Sequence, residues 1–122
     1  LPANSLNATG DYFEIICWGL LAANANNKQV RLKYGASTIY DTTLLAANSG
    51  NWMMRTQIVR ITSNSQTCVT SFITNNTTFT NQTQIVASAE NNTLISILKC
   101  TGLAVADNDI QQLGLIVKWF KG

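Results

Sequence analysis

The side chains that could carry acid–base or nucleophilic chemistry in this chain are carboxylates and cysteines, because the sequence contains no histidine. Without an imidazole there is no Ser–His or Cys–His pair, and the commonest metal ligand is missing. Glycoside hydrolysis would need two carboxylates facing each other across a cleft, and the spacing favours no pair. The carboxylates are Asp11, Glu14, Asp41, Glu90, Asp107 and Asp109. We therefore expect a protein that is not an enzyme; loss of turnover in Asp41→Ala or Asp107→Ala would argue for one.

The triplet Asp107-Asn108-Asp109 is the one place where acidic and amide groups cluster in the sequence. Such a cluster could bind Ca²⁺, but Asp and Asn at a chain reversal more often hydrogen-bond their own backbone. No glycine-rich phosphate loop is present. We predict a turn here, and we expect neither a metal ion nor a cofactor in this protein.

Cysteine occurs three times, at Cys17, Cys68 and Cys100. An odd number argues against a full disulfide framework, and the spacings match no local zinc motif. All three lie in apolar or Thr-rich segments. We expect buried, reduced thiols that pack as small hydrophobic side chains in a reducing compartment.

Aromatic and amide side chains offer a different chemistry, that of glycan contact. Two aromatic residues, Tyr40 and Trp52, flank polar turns and are expected to be exposed, as is Tyr12. The segment 75–84 is a long polar loop rich in hydroxyls and amides, which suits a contact surface. Its Asn-x-Thr triplets are read as composition rather than as glycosylation sites. The predicted ligand or host contacts are Tyr40, Trp52, Asn75, Asn76, Thr78 and Asn81.

The overall composition is 46% hydrophobic but only 11% charged, and neutral polar residues dominate the remainder. The 14 asparagines favour turns and the 15 threonines favour strands. The net charge of +2 has no basic cluster, so nucleic acid is not an expected partner. No apolar run approaches the roughly 20 residues of a membrane helix, so we expect no membrane insertion. The chain opens with Leu1 rather than Met, which indicates a fragment or a processed product.

Alternating hydrophobicity is the main structural signal. Val30, Leu32 and Tyr34 should face one side of a strand, and Cys68, Thr70 and Phe72 one side of another. The strand over 52–62 should carry a bulge that switches its inward parity between Ile58 and Val59. We predict one domain, 1–122, folded as an all-β antiparallel β-sandwich, jelly-roll-like, with about eight strands. The predicted strands are 12–22, 29–34, 38–41, 52–62, 66–74, 85–89, 93–101 and 110–120.

Three stretches, 1–41, 51–66 and 94–120, resemble a β-sandwich module found in structural proteins of tailed bacteriophages and prophages. The similar features are the LPAN-x-L start, the hairpin R-L-x-Y-G-x-S-x-x-x-D and the strand W-x-x-R-x-x-I-x-R. This resemblance implies a non-enzymatic virion protein, made in the bacterial host cytoplasm and often trimeric. It would act as capsid decoration or as a fibre or tailspike module that contacts the host surface.

Low charge should leave apolar sheet faces exposed, and a homotrimer would cover them. The subunit contacts expected on faces opposite the core are Ile16, Leu20, Met53 and Ile95. The expected partners are other copies of the chain, other virion proteins and a host surface glycan. The alternative function is a carbohydrate-binding module of a larger protein.

Overall fold

A computed structural model describes residues 1–46 and 48–122 of the chain. These residues form nine β-strands and no helix, so no described element is a helix that could cross a membrane. The strands are β1 (Tyr12–Leu21), β2 (Asn27–Tyr34), β3 (Ser37–Asp41), β4 (Leu45–Ala46), β5 (Gly50–Thr62), β6 (Ser65–Thr74), β7 (Gln82–Ser88), β8 (Leu98–Ala104) and β9 (Ile110–Phe120).

The strands make two antiparallel sheets, which confirms the predicted all-β sandwich. The larger sheet has five strands in the order β7-β6-β5-β1-β9. In the smaller sheet β2 is central, with β8 on one side and β3 and β4 on the other. Jelly-roll connectivity is not confirmed by this order, in which β5, β6 and β7 are sequential neighbours. The two-residue β4 is the strand that the sequence pattern did not predict.

The core lies between the inner faces of the two sheets. Val30, Leu32 and Tyr34 of β2 are all buried, as their spacing of two predicts. The rings of Tyr40 on β3 and Phe72 on β6 stack across the core, with centroids 5.6 Å apart and planes at 16°. The other buried hydrophobic residues are Leu6, Phe13, Ile15, Cys17, Leu21, Ile39, Trp52, Met54, Ile58, Cys68 and Phe79.

The corner between β1 and β2 carries the chain from one sheet to the other. Asn24 Nδ2 and Asn26 Nδ2 donate to the Asp109 carboxylate at 2.6 and 3.0 Å. The buried Lys28 Nζ donates to Asn24 Oδ1 at 2.8 Å and to the Asn26 carbonyl at 3.2 Å. Hydrogen bonding to so many acceptors makes burial of this ammonium tolerable. The corner therefore also fixes the β8–β9 loop, because Asp109 belongs to that loop.

Two strand predictions were wrong in detail. In β5 the register against β6 is unbroken from Trp52 to Arg60, and the irregularity comes only at Ile61, so the parity does not switch at Val59. The apolar run at 93–97 is not in a strand, and β8 begins at Leu98. The Ser96 amide instead donates to the Leu1 carbonyl at 3.1 Å, and the Gly35 amide donates to the Ile97 carbonyl at 2.8 Å. Contacts from distant parts of the chain thus override the local strand preference of this segment.

Candidate interaction surface

Strand β9 forms one edge of the five-stranded sheet. It pairs with β1 along its length, and no described strand pairs with its other edge. Exposed edges in soluble proteins are commonly protected by charges, prolines or short length. β9 has 11 residues, no proline and a single charged residue, Lys118. Its exposed large hydrophobic residues are Leu113, Leu115, Ile116, Val117, Trp119 and Phe120.

The inner face of β9 continues the core-facing side of the sheet without a covering layer. Val117 lies opposite Ile15 of β1, yet Val117 is 39% exposed while Ile15 is fully buried. Leu115 and Trp119 lie on the same face and are 42% and 51% exposed. The cause is the width of the second sheet, in which β8 is the strand that contacts β9 and the smaller sheet extends no further. The core face of the larger sheet therefore ends in an uncovered apolar strip.

The outer face of the same sheet is apolar at its centre. Cross-strand neighbours line up there, with Trp18 opposite Met53 of β5 and Met53 opposite Ile73 of β6. Ile16 lies in the next row, opposite Ile116 of β9. We define the apolar outer face as the surface formed by Ile16, Trp18, Leu20, Met53, Ile73 and Ile116. An apolar patch of this kind on one sheet face is typical of a protein–protein contact.

One ion cluster borders the apolar outer face. Arg55 Nε donates to Glu14 Oε1 at 2.7 Å, and Lys118 Nζ is 3.7 Å from Glu14 Oε2. The Arg55 hydrogen bond is the main cause that lowers the pKa of Glu14 below its usual value. Glu14 is buried beneath the longer cationic side chains. The cluster thus ties β1 to β5 and β9 and leaves the two cations facing solvent.

The outer face of the smaller sheet differs sharply in character. Lys33 of β2 lies directly opposite Lys99 of β8, and Arg31 Nε donates to Asp41 Oδ2 at 2.9 Å. Like charges opposite each other are unfavourable unless both are well hydrated. This face therefore suits contact with water, whereas the apolar outer face suits contact with protein.

A groove of about 410 Å³ opens between β8, the loop before β9 and the N-terminal end of β5. Trp52 lines this groove, and its indole Nε1 has no hydrogen-bond partner among the described residues. Buried indole N–H groups normally find an acceptor. The polar lining residues are Thr101, Asp107, Asn108 and Gln112, and Cys100 lies beside them.

The prediction that Tyr40 and Trp52 are exposed was wrong. Tyr40 is 1% exposed and Trp52 is 2% exposed. Both residues follow or precede polar turns in the sequence, but both side chains lie on inner faces of their sheets. Tyr40 is covered by Phe72 of the opposite sheet. Neither ring forms the exposed platform that stacking on a sugar at the surface would need.

The predicted loop 75–84 ends at residue 81, because β7 begins at Gln82. The predicted contact residues in this loop serve mainly to shape it. Asn75 Oδ1 accepts from the Asn51 amide at 2.8 Å, and Asn81 Oδ1 accepts from the Thr74 amide at 2.8 Å. The buried Asn76 accepts from the amides of Thr78 and Phe79. Phe79 in turn is buried against Phe72. Among the predicted contacts in this loop, Thr78 is the one whose side chain is exposed and is not described as hydrogen-bonding to a backbone amide.

The four predicted subunit contacts fall into two places. Ile16, Leu20 and Met53 lie together on the outer face of the five-stranded sheet. Ile95 is 76% exposed but lies in the loop before β8, away from that face. The apolar residues of β9 were not among the predicted contacts. The signal for them was present, because L-I-V at 115–117 is continuous rather than alternating and must place apolar side chains on both faces.

Five of the six carboxylates, all except the exposed Asp107, accept structural hydrogen bonds. Asp109 accepts from the Ala106 amide at 2.9 Å, the turn chemistry that the sequence predicts. Asp11 accepts from the Asn7 and Ala8 amides, and Glu90 accepts from the Ala36 and Ser37 amides. Within the described residues no three side chains of the His, Cys, Asp or Glu type converge to hold a metal.

Comparison with known proteins gives no match to a family model, a curated protein or a solved structure. A proposal for the function therefore depends on the surfaces described above and on the resemblance of the sequence.

Proposed function

We propose that this chain is a non-enzymatic structural subunit that assembles with further copies of itself through β9 and the apolar outer face. The observation that carries the proposal is the unprotected β9 edge, with apolar side chains exposed on both of its faces. Water solvates its apolar side chains poorly, and pairing with a second chain would bury them while its edge backbone groups exchange water for ladder hydrogen bonds.

The assembly we propose is a homotrimer within a bacteriophage virion. Support comes from the resemblance of 1–41, 51–66 and 94–120 to phage structural modules, together with the low charge of 11%. In that setting the module would decorate a capsid or form part of a fibre or tailspike. Its partners would be its own copies, neighbouring virion proteins and, in a fibre, a glycan of the host surface.

Sedimentation velocity on the purified chain tests the proposed assembly. We expect the wild-type chain to sediment as a multiple of its 13.3 kDa mass, three-fold for the homotrimer. Val117→Lys at the centre of β9 should shift the population towards monomer, because an ammonium would enter the buried contact.

Ile85→Lys provides the matched control at the opposite edge of the same sheet. Ile85 is 72% exposed at the centre of β7, so this variant should assemble as the wild type does. A wild-type chain that stays monomeric at its highest attainable concentration, or equal effects of the two substitutions, would contradict the proposal. Circular dichroism on each variant separates lost assembly from lost folding.

The groove beside Trp52 favours one second function, a carbohydrate-binding module. The polar lining residues Thr101, Asp107, Asn108 and Gln112 offer donors and acceptors to the hydroxyls of a sugar, and Trp52 lies close enough to report on its binding. The volume of about 410 Å³ is within the range of small-molecule sites.

Titration with a panel of monosaccharides, followed by ¹H–¹⁵N correlation spectra, distinguishes this second function. The chain has three tryptophans, and the variant Trp52→Phe assigns the relevant indole signal. A shift of that signal alone, reduced in Asp107→Ala, would support sugar binding. Three unmoved indole signals throughout the panel would exclude it for those sugars.

A further inference from the structure

Two apolar surfaces of the chain differ in shape and meet at β9. The first is the inner strip of β9, which we define as Leu115, Val117 and Trp119 and which continues the core face of the larger sheet. The second is the apolar outer face, on the opposite side of the same sheet. No described strand covers either surface. Each copy therefore carries a narrow apolar strip and a broader apolar face that point in opposite directions.

A second copy of the chain offers the surface that the inner strip needs. Two sheets pack face to face when the apolar side chains of one lie over the apolar side chains of the other. Pairing of two β9 edges alone would widen the sheet and leave both strips without a covering layer. Two strips laid on each other would leave both outer faces in water. Only the strip of one copy laid on the outer face of the next covers one surface of each kind, which favours a head-to-tail contact.

The charges beside the two surfaces are complementary. In the ion cluster around Glu14, which borders the outer face, two cations share one carboxylate, so one positive charge is left over. Asp107 lines the groove at the N-terminal end of β9, is exposed and accepts no hydrogen bond within the described residues. At the other end of the strip, Lys121 is balanced within its own chain, because its Nζ lies 3.8 Å from the Asp11 carboxylate. Such rim charges orient two partners more than they bind them.

We propose that the inner strip of β9 in one copy docks on the apolar outer face of the next copy, in a head-to-tail ring of three. This inference rests on the proposed assembly and names the two surfaces that form its contact. A head-to-tail contact uses two different surfaces, so the copies close a ring without a twofold axis. Val117 at the centre of the strip and Met53, between Trp18 and Ile73 on the outer face, then lie on opposite sides of each contact.

Crosslinking of cysteine variants with a short bismaleimide tests which surfaces meet. Every variant carries Cys100→Ser, because Cys100 is the partly exposed thiol, whereas Cys17 and Cys68 are buried. The added cysteines are Val117→Cys on the strip and Met53→Cys on the outer face, at positions that are 39% and 37% exposed. On a denaturing gel, the chain with both should run as a covalent trimer. An equal mixture of the two single variants should give covalent dimers that contain one of each, and each single variant alone should run as a monomer.

Ile85→Cys is the matched control for Met53→Cys. Ile85 lies on the outer side of the same sheet but on β7, at the opposite edge from β9. Combined with Val117→Cys, it should give no covalent oligomer. Leu20→Cys on the apolar outer face repeats the test with a second probe, and circular dichroism before crosslinking shows that each variant is folded.

The possible failures are distinguishable. Covalent dimers from Val117→Cys or Met53→Cys alone would show that like surfaces meet, and would overturn the head-to-tail contact. So would the absence of crosslinks in both double variants, with Met53→Cys and with Leu20→Cys, of a chain that sediments as a trimer. A wild-type chain that sediments as a monomer would instead refute the proposed assembly itself.

Discussion

The indole of Trp18 occupies the space that a side chain at position 114 would need. Trp18 on β1 lies directly opposite Gly114 on β9, and a Cβ at position 114 would overlap the ring. The irregularity of the β1–β9 pairing falls immediately after Trp18. This contact therefore helps to fix the register of β9, the strand on which the proposed assembly depends.

Gly114→Ala should lower the free energy of unfolding by about 1–3 kcal/mol, since the ring must move to admit a methyl group. Urea unfolding followed by tryptophan fluorescence measures the change. Gly102→Ala on β8 is the matched control, because its Cβ would meet only the Ile110 side chain at 3.3 Å. Equal stability of the two variants would contradict the packing role of Gly114.

Tyr34 and Tyr40 are both buried in the core but differ in their hydroxyl groups. The Tyr34 hydroxyl donates to Asn92 Oδ1 at 2.7 Å, whereas that of Tyr40 has no partner within the described residues. Tyr34→Phe should cost about 1–2 kcal/mol, and Tyr40→Phe should be neutral or slightly stabilising. Thermal and urea unfolding of the two variants measure these changes in stability. A larger loss in Tyr40→Phe than in Tyr34→Phe would show that the Tyr40 hydroxyl has a hydrogen-bond partner in solution.

Acid should weaken the corner that Asp109 ties together. The hydrogen bond from Asn24 is the main cause that lowers the pKa of Asp109 below 3.8. A depressed folded-state pKa means that the carboxylate stabilises the fold above the unfolded value of 3.8. That stability is then lost as the pH falls through the folded-state pKa.

Asp109→Asn should therefore lower Tm at neutral pH by roughly 5 °C and should lose part of the acid dependence of Tm. Asp107→Asn is the control, because Asp107 lies two residues earlier and its side chain is exposed. It should leave Tm and the acid dependence of Tm unchanged. Melting curves from pH 7 downward test the pair. A wild-type slope retained in Asp109→Asn would assign the acid sensitivity to other carboxylates.

The proposed assembly uses the apolar outer face and not the loop before β8, and one substitution at each place tests this. Leu20→Glu places a charge on the apolar outer face and should weaken self-association by at least about ten-fold, the effect of one desolvated charge. Ile95 lies away from that face, so Ile95→Glu should leave self-association unchanged. Sedimentation equilibrium at several concentrations gives the association constant of each variant. A stronger effect from Ile95→Glu would show that the contact involves the loop instead.

Local pattern predicted most of the strands, but not all of their limits and not which strands are neighbours. The alternation at Val30, Leu32 and Tyr34 predicted the buried face of β2, and the limits of β9 were predicted at 110–120 as observed. The apolar run before Leu98 was wrongly predicted as strand. The Ser96 amide donates to the Leu1 carbonyl and the Ile97 carbonyl accepts from the Gly35 amide, and both partners lie far away in sequence.

The surface was harder to predict than the fold, because exposure depends on which sheet covers which strand. Tyr40 and Trp52 stand near polar turns, yet the opposing layer buries both. Val117 has the sequence surroundings of a core residue, but the narrower sheet leaves it uncovered. Outward residues of central strands, such as Leu20 and Met53, were predictable from alternation alone.

The order of the strands along the chain affects how two copies can interact while they fold. One edge of β1 pairs with β5, which follows soon in the sequence. Its other edge pairs with β9, which lies nearly one hundred residues further along the chain. Slow closure of so long a connection leaves time for the last strand of one copy to dock on β1 of another. Such an exchange reproduces every native pairing between two chains, so swapped dimers would be the characteristic by-product of refolding this protein at high concentration.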